Sequence, residues 1–295
     1  MTRLGLVFAG QGAQHPGMGA QLYASSPAAR HLFDQADAIL GWSLSRLCFE
    51  GPQEELTACA HCQPAIFTTS LAAWVARLEV LQDEKPVMAG GLSLGELSAF
   101  TAAGVFDFET GLKVVAERVR LMDECCQRTH GAMASVIGAE PERVAQVASE
   151  NGVDVANYNC PGQLILSGEK ALLKTACEVL APDAIKVVPL EVAGAYHSRL
   201  MRPAGEAFRE YLTSVPFHSP TIPVVHNVTG EVADASPEAI RERLAEQVYS
   251  PVRWEACCRL MMQNCDKLLE LGPGQVLTGL ARRIDRRFST EATNL

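Results

Sequence analysis

A serine between two glycines is the residue in this sequence best placed to do chemistry. Ser93 lies in the stretch Gly91-Leu92-Ser93-Leu94-Gly95, which has the Gly-x-Ser-x-Gly spacing of a nucleophile elbow. A serine on such a tight turn pushes its hydroxyl out of the sheet, and the flanking glycines allow close backbone approach. The pattern therefore favours a nucleophilic Ser93, while a turn of small residues without chemistry is the alternative.

The segments on either side of Ser93 fit this interpretation. Residues 85–89 are a short apolar run and are predicted to form a buried strand, and residues 97–103 are predicted to form a helix that ends at Gly104. Free N–H groups at the start of that helix would face a site where negative charge develops. Strand, turn and helix in this order are the context that a nucleophile elbow requires.

A second glycine-rich stretch, residues 10–19, follows a predicted first strand at the N-terminus. It lacks the Lys-Ser/Thr pair of a P-loop, so a phosphate cradle is not expected. Its position after a strand puts its backbone N–H groups at the carboxyl edge of a sheet, where binding sites form. An ordinary loop is the alternative.

The overall composition excludes several kinds of protein. Of the 295 residues, 48% are hydrophobic, which suffices for one large domain or a large domain with an insertion. The formal net charge of −9 argues against nucleic acid as the main partner. No apolar run approaches the roughly 20 residues that span a membrane, and the apolar N-terminal run is too short for a signal peptide. We therefore expect a cytoplasmic protein with no membrane partner.

The sequence contains ten cysteines. Without a secretory signal they are expected to stay reduced. Cys59-Ala60-His61-Cys62 resembles a set of metal ligands. However, no second Cys/His pair lies at zinc-finger spacing, and the stretch is predicted to be helical, so no metal site is predicted.

The pattern of elements changes at Gly131. Residues 130–193 are predicted to run strand, helix, strand, strand, helix, strand, which is the split βαβ pattern of a ferredoxin-like unit. Residues 1–129 and 194–295 are predicted to form one discontinuous large domain into which this small subdomain is inserted. Within the large domain, residues 224–227 are predicted to be a strand, and the tail from 289 to 295 is expected to be frayed.

Eight short motifs are spread over residues 5–285. They are Phe8-Ala9-Gly10-Gln11-Gly12-Ala13-Gln14, Gln63-Pro64-Ala65, Gly91-x-Ser93-x-Gly95-Glu96, Gly131-Ala132-Met133, Asn157-Tyr158-Asn159-x-Pro161-Gly162-Gln163, Ala195-Tyr196-His197-Ser198, Tyr249-Ser250-Pro251-Val252-x-Trp254 and Glu270-Leu271-Gly272-Pro273-Gly274. Together, and in this order, they resemble the malonyl-CoA:acyl carrier protein transacylase family. The resemblance implies an α/β-hydrolase-like core with a parallel sheet and an inserted ferredoxin-like α+β subdomain. It also implies that malonyl-CoA and acyl carrier protein are the partners and that no cofactor is needed, since the coenzyme A thioester is a substrate.

The resemblance implies a role for each matching residue. Ser93 would take the malonyl group as an ester, and His197 would be its general base and later protonate the leaving thiolate. The backbone N–H groups of Gln11 and Leu94 would stabilise the oxyanion. Arg118 would hold the malonyl carboxylate through a bidentate pair, which suits a planar guanidinium.

Further positions match polar residues that line the family's site, namely Gln63, Asn159 and Gln247. In the family a backbone carbonyl near the position of Gln247 orients the histidine, so no aspartate is nominated as a third catalytic residue. Tyr196 resembles the bulky aromatic residue of malonyl-selective members, because a ring leaves no space for an α-methyl branch. Such steric selection is worth only about 1–3 kcal/mol, so selectivity would be incomplete.

One position departs from the family's pattern. The family usually has histidine immediately before the nucleophile, whereas this chain has Leu92. The Gly-x-Ser-x-Gly spacing is retained, so acyl transfer is still expected. The apolar residue is expected to slow the enzyme or to alter its acyl preference.

A cluster of four arginines near the C-terminus is a candidate docking surface for an acidic carrier protein, and its members are Arg282, Arg283, Arg286 and Arg287. A solvated helix face is the alternative. Charge reversal in a docking surface would weaken transfer to the carrier more than loading from coenzyme A. The chain is expected to be a monomer.

Other functions remain open from the sequence. The chain could be the malonyl-transferring component of a malonate decarboxylase or polyketide system, a serine esterase or thioesterase, or a non-catalytic interaction protein. Arg118 with Gln63 argues for a carboxylated acyl group held away from water. The presence of both Ser93 and His197 argues against a non-catalytic protein.

Overall fold

The structure, a computed structural model, describes residues 1–81 and 83–293. Two four-stranded sheets organise these residues. The strands are β1 (Thr2–Phe8), β2 (Glu84–Gly91), β3 (Gly131–Ile137), β4 (Asp154–Cys160), β5 (Gln163–Glu169), β6 (Lys186–Pro189), β7 (Lys267–Leu271) and β8 (Ser289–Ala292). The helices are α1 (Ala20–Ser25), α2 (Pro27–Leu40), α3 (Leu44–Glu50), α4 (Gln53–Thr57), α5 (Cys59–Leu78), α6 (Leu94–Ala102), α7 (Phe108–Arg128), α8 (Pro141–Glu150), α9 (Lys170–Leu180), α10 (Arg202–Leu212), α11 (Pro237–Gln247), α12 (Trp254–Asn264) and α13 (Val276–Ile284).

The first sheet is parallel and has the strand order β2-β1-β7-β8. Its central strand β1 is buried from Leu4 to Phe8, as expected for a strand that is covered on both faces. The last residue of β1, Phe8, pairs with Gly91 of β2 and with Leu271 of β7. The carboxyl ends of the three strands therefore meet at one edge, and the segments that follow them converge there.

The second sheet is antiparallel and has the order β4-β5-β3-β6. Helices α8 and α9 pack on it, with Val144 and Leu173 in the same apolar cluster as Val136 and Leu166 of the sheet. The succession β3, α8, β4, β5, α9, β6 is the split βαβ order that the sequence predicts. This sheet is joined to the rest of the chain through β4, because the N–H of Tyr158 donates to the carbonyl of Val252 at 2.9 Å.

Helices α5 and α7 are the longest, with 20 and 21 residues. Helix α5 begins at Cys59 and has Pro64 inside it, so the stretch from Cys59 to Cys62 is helical, as the sequence predicts. Almost every residue of α5 from Cys62 to Trp74 is buried, and this burial outweighs the hydrogen bond that the proline removes. Across residues 1–81 and 83–293, no helix has both the length and the apolar character that crossing a membrane requires.

The structure corrects two expectations about the large domain. Residues 289–292 are not frayed but form β8 beside β7, where Lys267 makes an ion pair with Glu291; residues 294 and 295 lie outside the described residues. Residues 224–227 do not form a strand of either sheet. Val224 and Val225 make only single bridges, to Ala89 and Val232.

Two glycines allow β2, the turn and α6 to pack against the end of β1. A Cβ atom on Gly95 would lie 2.1 Å from the carbonyl oxygen of Phe8, and one on Gly91 would lie 2.1 Å from the carbonyl carbon of Gly95. Real side chains do not tolerate such distances to backbone atoms. The glycines of the elbow are therefore required for backbone packing, which puts Ser93 at the edge of the sheet.

We predict that Gly95→Ala lowers the free energy of unfolding by about 2 kcal/mol or more, because the added methyl group cannot be accommodated without a backbone shift. The matched control is Gly279→Ala in α13, where an added Cβ meets nothing within 4 Å. Since alanine is the better helix former, the control is expected to gain about 0.5–1 kcal/mol. Chemical denaturation of both variants checks this, and an unchanged stability of Gly95→Ala would contradict the packing account.

Candidate active site

Ser93 occupies the two-residue turn between β2 and α6. Its backbone has φ 54° and ψ −100°, a region that residues other than glycine rarely adopt. The turn is held in place by Asn227, whose side-chain oxygen accepts from the N–H of Ser93 at 2.7 Å and whose side-chain nitrogen donates to the carbonyl of Gly91 at 2.8 Å. This strained turn aims the Ser93 hydroxyl away from the sheet, as the elbow pattern predicts.

The Ser93 hydroxyl meets the side chain of His197. Nε2 of His197 lies 2.7 Å from Oγ of Ser93, and Nδ1 lies 2.9 Å from the backbone carbonyl oxygen of Gln247. A carbonyl can only accept, so Nδ1 must carry the proton and Nε2 of the neutral ring must be the acceptor for the serine hydroxyl. His197 is therefore oriented to remove the proton from Ser93.

Burial keeps the His197 imidazole neutral. The side chain is 4% exposed, and desolvation together with the positive charge of Arg118 lowers its pKa from 6.5 to about 4. The unfolded chain takes up this proton near pH 6.5 and the folded chain only near pH 4. Acidification between these values therefore lowers the free energy of unfolding, and at neutral pH the ring is free to accept a proton.

Arg118, on α7, is 1% exposed and points at Ser93. Its Nη2 donates to Oγ of Ser93 at 3.1 Å and to Oε1 of Gln247 at 2.8 Å, and its Nη1 donates to Oε1 of Gln63 at 2.8 Å. All three acceptors are neutral oxygens. Among residues 1–81 and 83–293, Arg118 has no ion-pair partner within 4.0 Å.

A buried guanidinium without a carboxylate partner is costly, because its charge has left water without compensation. Desolvation lowers the pKa of Arg118 from 12.5 to about 10, so it still carries its charge at neutral pH. The charge lies next to the nucleophile. A substrate that brings its own carboxylate to this position would supply the missing partner.

A buried carboxylate, that of Glu96, supports the turn through its hydrogen bond with Asn227. Its Oε2 accepts from the N–H of Asn227 at 3.1 Å and from Nε2 of Gln247 at 2.7 Å, and its Oε1 lies 2.9 Å from Nδ1 of His226. Gln247 also donates to the backbone carbonyl of Ser93 at 2.9 Å. Glu96 therefore fixes both Gln247, which holds Arg118, and Asn227, which holds the elbow.

The sequence gives no supporting role to Glu96, His226 or Asn227, although Glu96 is quoted within a motif. The pattern that indicates a role for two of them is the pair His226-Asn227, which directly follows the apolar residues Val224 and Val225. Polar residues that follow a buried apolar run often lie at the edge of a sheet, where binding sites form.

A cleft of about 220 Å³ opens in front of Ser93, between the two sheets. Its lining combines residues of the elbow, of α5 and of the second sheet; these residues are Gln11, Gln63, Leu92, Ser93, Met122, Met133, Asn157, Asn159, Gln163, Ile165, Leu190, Val192, Tyr196, His197, Val276 and Leu280. Most of the wall is apolar, with a few polar side chains near Ser93. This is the usual composition of a site for a small organic ligand.

Backbone donors are available beside the nucleophile. Leu94 is the first residue of α6, where a helix offers no carbonyl to the N–H group. Its side chain is buried, so only its backbone is relevant to the site. Gln11 lies in the glycine-rich loop after β1 and lines the cleft.

The other residues that the sequence singles out lie in the wall of the cleft or directly behind it. Tyr196, Asn159 and Gln63 line it, and Asn159 Oδ1 is buried without a hydrogen-bond partner in the described part of the chain. Gln247 is not in the wall but lies behind Arg118, to which it is hydrogen-bonded. Leu92 also lines the cleft and packs at the edge of an apolar cluster.

The four C-terminal arginines are all exposed, around the end of α13. Arg283 donates to Oε1 of Gln163 at 2.7 Å, and Gln163 lines the cleft. Arg283 therefore lies next to a residue of the cleft wall. A docking role for it stays a prediction.

We predict that the His197 ring stays neutral, with the proton on Nδ1, from neutral pH down to about 4. Nitrogen-15 NMR of labelled imidazoles reports both the tautomer and the titration, and His197→Gln assigns the resonance by its loss. A His197 signal that titrates near the ordinary value of 6.5, or a proton on Nε2 in the free enzyme, would contradict the described geometry.

Known proteins are similar to this chain in both sequence and fold. A family model described as an acyl transferase domain matches residues 6–278. A malonyl CoA-acyl carrier protein transacylase of Bacillus subtilis is 40% identical over 303 residues, covering 100% of this chain and 94% of that protein.

Solved structures give the same result. An acyl carrier protein S-malonyltransferase from Vibrio cholerae has a TM-score of 0.94 at 37% identity and covers 99% of this chain and 97% of that chain. A malonyl-transacylase in complex with a type II polyketide acyl-carrier protein also has a TM-score of 0.94, at 36% identity, over 100% of this chain and 96% of that one. With matches of this identity and coverage, the chain belongs to the malonyl-CoA:acyl carrier protein transacylase family.

Proposed function

We propose that this chain transfers a malonyl group from malonyl-CoA to the phosphopantetheine thiol of acyl carrier protein, through an ester on Ser93. The observation that carries the proposal is Arg118, a buried cation whose Nη2 lies 3.1 Å from Oγ of Ser93 and whose hydrogen bonds to the described residues all go to neutral oxygens. A simple acyl group leaves that charge unpaired, whereas a malonyl group brings a carboxylate to it. The names of the relatives support the same substrate and acceptor.

The first half-reaction loads the enzyme. Oγ of Ser93 attacks the thioester carbonyl carbon while Nε2 of His197 takes the hydroxyl proton across the 2.7 Å contact. The tetrahedral intermediate collapses as its C–S bond breaks, and the imidazolium gives its proton to the departing thiolate. Burial, which lowers the pKa of His197, favours release of the proton from the imidazolium to the thiolate.

The second half-reaction reverses these roles. The carrier's phosphopantetheine thiol enters the same cleft, and His197 removes its proton as the sulfur attacks the malonyl ester. The C–O bond to Ser93 breaks, and the serine oxygen regains its proton from the imidazolium. The Nδ1 contact with the Gln247 carbonyl holds the ring in one orientation through both steps.

We assign stabilisation of the oxyanion to the backbone N–H groups of Leu94 and Gln11. The start of α6 supports this, since the first N–H groups of a helix are unpaired and carry its positive dipole end. Nucleophile, base and donors all belong to the chain itself. We therefore propose that the reaction needs no cofactor beyond the coenzyme A thioester, which is a substrate.

Substrate selection is assigned to the walls of the cleft. Tyr196 is 5% exposed, and its ring occupies volume that an α-methyl branch would need. The buried Oδ1 of Asn159, which has no partner among the described residues, is available as an acceptor, and Oε1 of Gln63 accepts from Arg118. Leu92 makes this part of the wall apolar where the family has histidine, which we expect to change the rate or the acyl preference but not the reaction.

We propose that the product feeds fatty acid synthesis in the cytoplasm. Use in a polyketide system is the alternative, since one solved relative is in complex with a polyketide carrier. The preference of the enzyme for one carrier protein over the other would distinguish the two pathways.

We further propose that the chain divides into a discontinuous large domain, 1–129 and 194–295, and a small subdomain, 130–193. The second sheet supports this division, because all of its strands lie within residues 131–189.

Intact mass measurement after mixing with malonyl-CoA tests the proposal. The wild type is expected to gain one malonyl group, which leaves again when acyl carrier protein is added, and Ser93→Ala is expected to gain none. Release of free coenzyme A without an adduct and without carrier would identify water as the acceptor and contradict the proposal.

A matched control separates the nucleophile from its neighbourhood. Ser98→Ala removes a buried hydroxyl of α6, five residues after the nucleophile, that makes no hydrogen bond in the described part of the chain. This variant is expected to load and discharge malonyl as the wild type does. Equal loss of the adduct in both serine variants would mean that the helix, rather than the Ser93 hydroxyl, is required.

A further inference from the structure

One motif noted in the sequence has no part in malonyl transfer. Cys59 and Cys62, in the order Cys-x-x-Cys, occupy the first turn of α5. They are 7% and 0% exposed, and both are free thiols. Cysteine pairs at this spacing at a helix start are a common arrangement for reversible disulfide chemistry.

The sulfur of Cys59 lies against residues of the active site. Nε2 of Gln63 donates to it at 3.3 Å, and its own thiol faces Oε1 of Gln11 at 3.8 Å. Gln63 also donates to Gln11 at 3.2 Å and accepts from Arg118 at 2.8 Å. Cys59 is therefore one side chain away from both the guanidinium and the cleft.

We propose that Cys59 and Cys62 form a reversible dithiol–disulfide site that takes hydrogen peroxide, and that its oxidation disables the neighbouring malonyl transfer. Peroxide is small, which suits a buried sulfur, and both Gln11 and Gln63 contact the Cys59 sulfur and line the cleft. The consequence for transfer rests on the proposed function, whereas formation of the disulfide does not.

The environment of the two thiols favours Cys59 as the sulfur that reacts first. The side chain of Cys62 lowers the pKa of Cys59 against the effect of burial, and Tyr196 and the charge of Arg118 act in the same direction. The side chain of Cys59 and burial together raise the pKa of Cys62, whose thiol donates to the backbone carbonyl of Cys59 at 3.7 Å. Cys59 thus has more thiolate character, and the thiolate is the form that attacks peroxide.

Two steps complete the oxidation. The Cys59 thiolate attacks one peroxide oxygen, the O–O bond breaks, hydroxide leaves and a sulfenic acid forms. The Cys62 sulfur then attacks the Cys59 sulfur, the S–O bond breaks and water leaves with the thiol proton. In sum two thiols lose two hydrogens, and one peroxide is reduced to two waters.

The fold allows the S–S bond to close. Side chains three residues apart on a helix have Cβ atoms about 5–6 Å apart, and a disulfide needs about 3.5–4.5 Å. The two Cβ atoms must therefore approach by about 1–2 Å, and this shift falls on the first turn of α5, where backbone hydrogen bonds are fewest. Disulfide formation moves the Cys59 sulfur away from Gln11 and from Nε2 of Gln63, which donates to it. Gln63, which accepts from Arg118, then loses the contact that fixes its position.

The experiment is peroxide titration of the full-length wild type, followed by mass spectrometry and by the rate of Ser93 malonylation. The expected species is lighter by two hydrogens, with the bond localised between Cys59 and Cys62. Both residues lie in the tryptic peptide 47–77 together with Cys48, so fragmentation must place the link. Malonylation is expected to fall about tenfold or more and to return with a reducing dithiol.

Variants provide the controls. Cys62→Ala is expected to retain basal transfer and to stop at the sulfenic acid, whereas Cys177→Ser, which removes a half-buried thiol of α9, is expected to oxidise as the wild type does. A link from Cys59 to Cys126, which lies in a different tryptic peptide, would overturn the assignment. So would the absence of any disulfide, or a disulfide that leaves malonylation unchanged.

Discussion

The buried charge of Arg118 is the constraint on which the rest of the site depends. In the described part of the chain, the guanidinium of Arg118 is 1% exposed and has only neutral acceptors, which come from α5, from the turn before α6 and from α11. Glu96 is linked to Arg118 through Gln247, which is hydrogen-bonded to both. Within residues 1–81 and 83–293 the positive charge of Arg118 thus has no carboxylate partner beside the nucleophile, at a cost in stability that a carboxylated substrate offsets.

The same charge tunes the base. Arg118 and burial together lower the pKa of His197 to about 4, which keeps the ring neutral next to Ser93. The serine hydroxyl then donates to the histidine, which acts as its base, and accepts from the arginine, so both side chains fix the position of its oxygen. The strained backbone of Ser93, held by Asn227 and packed through Gly91 and Gly95, makes this meeting geometrically possible.

Much of this arrangement could be predicted from the sequence, but not all of it. The elbow around Ser93 and the split βαβ order of residues 130–193 follow from local spacing and periodicity, so both were accessible. Glu96 and Asn227 were not, because their roles arise from contacts across 131 positions of the chain. The tail was misjudged for a similar reason, since β8 forms only because β7 offers it a parallel partner.

The measurement that tests this account most directly is single-turnover acylation of wild type and Arg118→Gln by malonyl-CoA and by acetyl-CoA. We expect the variant to lose malonyl loading by about a hundredfold more than acetyl loading, because only the malonyl group loses a buried charge-assisted pair. Thermal unfolding of the variant confirms that it is folded. An equal loss for both donors would contradict the account, since Arg118 would then support the site without recognising the carboxylate.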